Sequence, residues 1–561
     1  MDANTLDANT STSFGVAAAE EHSRYLWVPF LLFVCYAAFL ILTLADYGVT
    51  WDEIGWFNYG YIQWDAIFHG TVKDLKDPLA YFYYGSLSPL VAAVTHYLFH
   101  EVLHWVSSDA GYHLANVGFA LALALGILVW GKKALGNVGA SLALLAWMLL
   151  PRLWADAHSN ISDLPGAAGY LWAAWGIWRI SQAAKAQAKD YVLCGFLVGV
   201  AYSLRAPNVY FLALAVLIWF CGCRWFLKYR WPSLTWWGFL IALGVFFLTV
   251  KLANPHLWYG SVLKQVLWIN PNAYLYSGIG KMDLWFMGHY YASGSIPFYY
   301  APWFWLISTP LLILFCWALG VGKMIQDGAS ASATSLLWLI LWGTAVFKHV
   351  LGLGNYDGIR HFLESYAPMS LLAAQGALAL LQHIHGLTLW RKRLAYLFLC
   401  LGLIFPLYTG WRIHPYQSGY FNVLAGPLPS AWQRYEVEYW GHSFLPASKW
   451  VKKHINPNVE LYVPDAAHIA KYYLTPPFKI NVMKKYWEFP GPSEFMKGLE
   501  SFLEEAPPGS ILMKLNRPRL YFEEISFGCP LDWEMVHKEG PDPRLPPMMV
   551  ICRKALQTVI K

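Results

Sequence analysis

Charge is what this chain has least of. Asp, Glu, Lys and Arg together make up 13% of its 561 residues, about half the ~25% of a water-soluble domain. So few charges cannot cover a soluble globule of this size, and a mean hydropathy of +0.36 excludes a disordered chain. Cysteine is scarce too. Six of the eight lie in or beside apolar runs, where a free thiol acts as a small hydrophobe. Cys529 and Cys552 stand in a polar segment, as one disulfide or two free thiols. There is no P-loop and no GxGxxG opening a βα unit, so nucleotide binding has no support. The net charge of +6 comes without a basic stretch interleaved with aromatics, so no nucleic-acid partner is expected. No internal repeat is evident.

What the chain has is apolar and aromatic: 57% hydrophobic residues, 31 Trp and 35 Tyr, the composition of a protein seated in a bilayer. A helix crossing ~30 Å of hydrocarbon needs about 20 mostly apolar residues. That rule predicts about eleven spans, at 26–44, 112–130, 139–150, 164–180, 191–204, 209–221, 236–252, 300–319, 335–351, 366–381 and 394–409. The stretch 83–106 carries His96, His100, Glu101 and His104 and is expected to be a juxtamembrane amphipathic helix in the first outer loop. Lys132, Lys133, Lys185, Lys189, Arg224, Lys228, Arg230, Lys323, Arg391, Lys392 and Arg393 fall in alternate loops. The other loops hold fewer cations: Lys73, Lys76, Arg152, Arg205, Lys264, Lys281 and Arg360. The bias predicts a cytoplasmic N-terminus in a multi-pass plasma (inner) membrane protein. Three parts are expected: a cytoplasmic tail over 1–25, a membrane domain over 26–411, and a small extracytoplasmic α/β domain over 412–561. Short β-like runs at 460–463 and 511–514 and a helix-like 466–473 suggest the last.

Polar residues concentrate on the expected outer side. The first outer loop opens with Asp46-Tyr47-Gly48-Val49-Thr50-Trp51-Asp52-Glu53. On a helix the two last carboxylates diverge by about 100°, so one can face a site while the other braces the backbone. The second carries His158, Asn160 and Asp163, with Asp163 placed to cap the helix that Pro165 begins. Arg205 joins two apolar segments, and Lys348 precedes Tyr356-Asp357-Gly358-Ile359-Arg360-His361. Arg205, Arg360 and Lys348 suit a phosphate, with His361, His158 and Asn160 adding hydrogen bonds. Asp52, Glu53 and Asp163 could form a hard-oxygen site for Mg²⁺, but nothing in their spacing demands it, so no metal is assigned and no cofactor is required. A transporter or lipid flippase would also explain many spans, but it favours repeats and midplane charges; a non-catalytic scaffold is a third reading.

Five features carry a family resemblance: Thr50-Trp51-Asp52-Glu53; His158-Ser159-Asn160-Ile161-Ser162-Asp163-Leu164-Pro165; Ile296-Pro297-Phe298-Tyr299-Tyr300-Ala301-Pro302 with Ile307-Ser308-Thr309-Pro310; Tyr356 to Phe362; and His414-Pro415-Tyr416 with Tyr420-Phe421-Asn422 and Glu438-Tyr439-Trp440-Gly441. Over residues 26–450 the chain resembles the GT-C fold glycosyltransferases of family 39, the dolichyl-phosphate-mannose–protein mannosyltransferase-like group, in its bacterial form. The resemblance implies an inverting hexosyl or pentosyl transferase that takes its sugar from a polyprenyl-phosphate donor. It implies Asp52, Glu53 and Asp163 as the catalytic acids, with Asp52 the general base. Arg205, Arg360, His361 and Lys348 are then expected at the donor phosphate, and His158, Asn160, Tyr356 and His414 around the substrates. The acceptor would be an envelope glycan, a lipid or a protein.

Overall fold

The sequence's longest apolar runs become its longest helices. A computed structural model describes residues 27–70, 85–228, 235–258, 260–269, 283–292, 295–327, 329–351, 356–484, 488, 492–517 and 528–555. The tail over 1–25 and the loop cations Lys73, Lys76, Arg230 and Lys281 lie outside them. Helix α1 spans Trp27–Leu42, α2 Glu53–Phe68 and α3 Leu87–His96, followed by α4 at Ser108–Met148 and α5 at Pro151–Asp156. Then come α6 at Asp163–Gln182, α7 at Ala188–Leu204, α8 at Ala206–Trp225 and α9 at Trp236–Ala253. The membrane part closes with α10 at Tyr300–Ser308, α11 at Leu311–Gln326, α12 at Ala329–Phe347, α13 at Tyr366–His385 and α14 at Leu389–Arg412.

The two spans expected at 112–130 and 139–150 are the arms of α4, which reverses at Gly136 (φ 75°, ψ −176°). A Cβ on Gly131 would stand 3.1 Å from Ala140 Cα, whereas nine residues of straight helix would hold these positions about 13 Å apart. The span expected at 300–319 needs correction. It breaks into α10 and α11 at an angle of 114°, because Pro310 has no N–H to give and holds Thr309 extended (φ −99°, ψ 129°). The stretch after residue 85 forms only the ten-residue α3 and a π turn, Tyr97–Val102, about 15 Å of α-helix and half a bilayer. Among the described residues six helices are long and apolar enough to cross, with the two arms of α4 counted as one helix, and seven if the bent pair counts as one span.

Glycine sets the closest approaches. A Cβ on Gly376 would sit 1.9 Å from the Cys316 carbonyl oxygen, and one on Gly320 would sit 2.0 Å from that of Leu372. Helices α11 and α13 therefore pack backbone on backbone, the use membrane helices make of small residues. Helix α14 lies on the rim: of its residues only Pro406 and Gly410 are buried, and Phe398, Leu401 and Phe405 face outward.

After α15 (Leu428–Arg434) and α16 (Phe444–His454) the chain enters a five-stranded sheet. Its strands are β3 Glu460–Val463, β4 Lys479–Val482, β5 Ile511–Leu515, β6 Trp533–Glu539 and β7 Met549–Lys554; β1 (Leu284–Phe286) and β2 (His289–Tyr291) form a separate hairpin. The order is β4-β3-β5-β7-β6, parallel from β4 to β5 and antiparallel beyond. Period-2 alternation supplies both faces. Ile511, Met513, Met549 and Ile551 pack against α16 and α17 (Ala467–Tyr473), while Leu512, Val550 and Cys552 pack against α18 (Pro492–Glu504). Of the two states left open for Cys529 and Cys552, the disulfide forms.

Candidate active site

The loop after α1 is pinned before it does anything. Trp51 N donates to the Trp440 carbonyl at 2.9 Å and Val49 N to the Tyr473 hydroxyl at 2.6 Å. Glu53 opens α2 and is 1% exposed. Its carboxylate accepts from Thr50 N (2.7 Å), from Asn160 N (2.8 Å) and from His113 Nε2 (3.1 Å). Glu53 thus ties the loop after α1 to the loop before α6 and to α4. One position earlier, Asp52 turns the other way and keeps 36% of its side chain exposed.

Asp52 faces Arg360. The guanidinium of Arg360 donates from Nη1 to Asp52 Oδ2 (3.1 Å), lies 3.5 Å from Asp357 Oδ2 and 3.9 Å from Asp163 Oδ2, and is held between the rings of Trp440 and Tyr356. Its Nε donates to His361 Nε2 at 3.2 Å, which requires a neutral imidazole. Burial, then the neighbouring Arg360 charge, holds His361 well below its usual range. Asp163 also pairs with Arg205 and accepts from Asn160 Nδ2. The helix cap expected of Asp163 is absent: Ser162 takes the N-cap position, and the carboxylate serves the ion network instead. Arg205 stands where α7 breaks into α8 (φ −159°, ψ 93°), and its stem crosses Gly166, whose Cβ would lie 2.6 Å from Arg205 Cδ. Asp52 is raised above the ordinary carboxylate range, by burial first and by Asp357 and Asp163, against the lowering effect of Arg360. Behind it, burial pushes the Asp156 carboxyl up to about 7.

One network therefore gathers Asp52, Asn160, Asp163, Arg205, Tyr356, Arg360 and His361. The remaining sequence candidates are committed to other partners. Lys348 is closed on Glu364, both 4% exposed. His158 is fully buried, bonded to the Trp154 and Leu40 carbonyls and stacked on Tyr47, and burial pushes it down to about 4. His414 binds Asp46 Oδ2 (2.9 Å) and meets the Tyr47 ring edge-on. Sequence reasoning passed over Asp357 and Trp440 although both lie inside quoted motifs. It also missed Arg517, which reaches in from the C-terminal domain to Asp357 (3.3 Å) and lies over Trp51; no sequence signal marks it. The arrangement offers one half-open carboxylate beside a largely buried, multiply paired guanidinium at the ends of the helices. Such a set can take a proton from one group while holding an anion next to it.

No family model and no curated protein matches the chain. Solved structures do. ArnT from Cupriavidus metallidurans in the apo state superposes with a TM-score of 0.50 at 14% identity, over 93% of this chain and 97% of that one. The same enzyme bound to undecaprenyl phosphate gives 0.50 and 14%, over 94% and 98%. The Archaeoglobus fulgidus oligosaccharyltransferase tethered to an acceptor peptide gives 0.43 and 10%, over 88% and 70%. The likeness to ArnT establishes the architecture: a GT-C fold of membrane-spanning helices followed by a small C-terminal α/β domain.

Proposed function

We propose that the protein is a membrane glycosyltransferase that moves a hexosyl or pentosyl group from a polyprenyl-phosphate donor to an extracytoplasmic acceptor, with inversion. The observation that carries this is Arg360, which joins carboxylates from three loops and leaves Asp52 as the half-open one. The fold shared with ArnT, a protein solved with undecaprenyl phosphate bound, supports a donor of that class, as does the resemblance to family 39. Asp52 accepts the acceptor's hydroxyl proton as that oxygen attacks the anomeric carbon. The bond to the phosphate oxygen breaks on the opposite face, and polyprenyl phosphate leaves with its charge met by Arg360 and Arg205. Glu53 is a positioning residue. No nucleotide is required, since the donor is already an activated phosphodiester. Whether the acceptor is a glycan, a lipid or a protein is read from the product.

The test is single-turnover transfer with a polyprenyl-phosphate sugar. Asp52→Asn keeps size and hydrogen bonding but cannot take the proton, so transfer should fall by ~10²-fold or more while donor binding changes little. Near-normal turnover would sink the assignment of the base. Arg360→Ala should instead weaken donor binding, by roughly tenfold or more for a lost charged hydrogen bond.

A further inference from the structure

We propose that His96, His100 and Glu101 form a binding site for a divalent transition metal of the zinc class, on the juxtamembrane segment between α3 and α4. The segment reads His96-Tyr97-Leu98-Phe99-His100-Glu101-Val102-Leu103-His104. Its last five residues fit the pattern H-E-x-x-H, in which one α-helix presents two histidines to zinc and keeps the Glu as a base. The expectation of no metal overlooked that pattern, and the structure does not use it as written. Helical geometry ends before His104, which has φ 54° and binds the His100 carbonyl through Nδ1 at 2.8 Å. Tyr97–Val102 is instead a π turn. On an α-helix, residues five apart diverge by about 140°; a π turn, bonded i to i+5, brings them onto one face. Glu101 thereby joins His96 and His100, and one donor atom from each lies within 4.8 Å of the others.

The surroundings match what a metal histidine needs. His100 Nδ1 lies 2.9 Å from the Val106 carbonyl, which takes the ring proton there and leaves Nε2 free, 3.9 Å from Glu101 Oε1. His96 is fixed at both nitrogens by hydroxyls, Tyr61 of α2 at 2.6 Å and Ser108 of α4 at 3.0 Å. An ion replaces one hydroxyl, and the other stays as the outer bond that orients the ring. Tetrahedral zinc, with bonds of about 2.0–2.2 Å, wants its ligand atoms roughly 3.4 Å apart. His100 and Glu101 keep 33% and 52% of their side chains exposed and can close that distance. A Cβ on Gly111 would stand 3.1 Å from His96 Cα and 3.2 Å from His100 Cβ, so the first turn of α4 leaves the pair its room. Water completes the shell. With all three ligands on residues 96–101, the ion would lock the π turn that follows α3.

The experiment uses the full chain in detergent, stripped with chelator, reloaded with Zn²⁺ and desalted. Metal content and the Zn²⁺-induced rise in Tm are then measured, neither of which depends on sugar transfer. The parent should hold about one Zn²⁺ per chain and gain thermal stability from it. His100→Ala and Glu101→Ala, at partly exposed positions, should lose tenfold or more in affinity along with the Tm response. His104→Ala should match the parent. A parent that retains no zinc, or His100 and Glu101 variants that bind it as the parent does, would overturn the site. So would a His104→Ala variant that loses metal as fully as His100→Ala, because the plain H-E-x-x-H arrangement would then be the one that operates.

Discussion

Asp52 and Glu53 are neighbours in sequence and opposites in circumstance. Three inward hydrogen bonds consume Glu53, so Glu53→Gln should cost stability first. Losing one charged acceptor contact in a buried site is worth ~1.5–3 kcal/mol, read as a lower Tm in detergent with donor affinity kept in the folded fraction. Asp52 invites a pH experiment. Its carboxyl lies above the usual range, so it stays protonated to higher pH than a free Asp. Transfer should therefore rise with pH along a limb above the ordinary carboxylate pKa. Arg360→Gln removes the charge that lowers this group, so in kcat at saturating donor the limb should move to higher pH. An unmoved limb would mean that another group titrates. The divergence of the two acids was legible in the sequence, from helical geometry alone. The partner of Asp52 was not: residues 308 apart meet only through the packing of α6, α12 and α13 around the 360–365 turn.

Among elements, the break between α10 and α11 shows how a quoted motif acquires a cause. Breaking a helix at Pro310 strands carbonyls in an apolar setting. Asn422 meets that need: its Nδ2 donates to the carbonyls of Leu306 (2.8 Å) and Thr309 (2.7 Å), and its backbone N donates to Ile307 at 2.8 Å. Two of the five resemblance features are thus halves of one joint. Asn422→Ala should lower stability by about 1–3 kcal/mol, and Asn422→Asp, which cannot donate, by at least as much; thermal unfolding of both decides it. Apolar runs gave the helices their places, because length and hydropathy are local properties. The bend at Pro310 and the reversal at Gly136 depend on one residue each inside a run that otherwise reads as continuous. The π turn after His96 is harder still, since nothing in Tyr97–Val102 forbids an α-helix.

For the whole molecule, the charge bias of the loops predicts that reporter fusions at Lys392 read cytoplasmic and fusions after Trp450 read extracytoplasmic. Both on one side would move the network to the other face. Two strands of the C-terminal sheet, at 460–463 and 511–514, were legible as short β-like runs; the domain's reach into the site through Arg517 was not, because that contact exists only after docking. This docking bears on how the protein is made. The Tyr473 hydroxyl that holds Val49 is 424 residues downstream of it, and His468 Nε2 meets the Trp51 carbonyl at 2.7 Å across 417. At ~5–20 residues per second, synthesis leaves roughly 20–85 s between the exit of the loop after α1 and the arrival of its clasp. Through that interval the segment with the proposed base lacks its far partner, so a ribosome-bound fragment ending before α17 is a scaffold that has not yet been closed. The last fifth of the chain, which reads like an appendage, is the part that finishes the first loop.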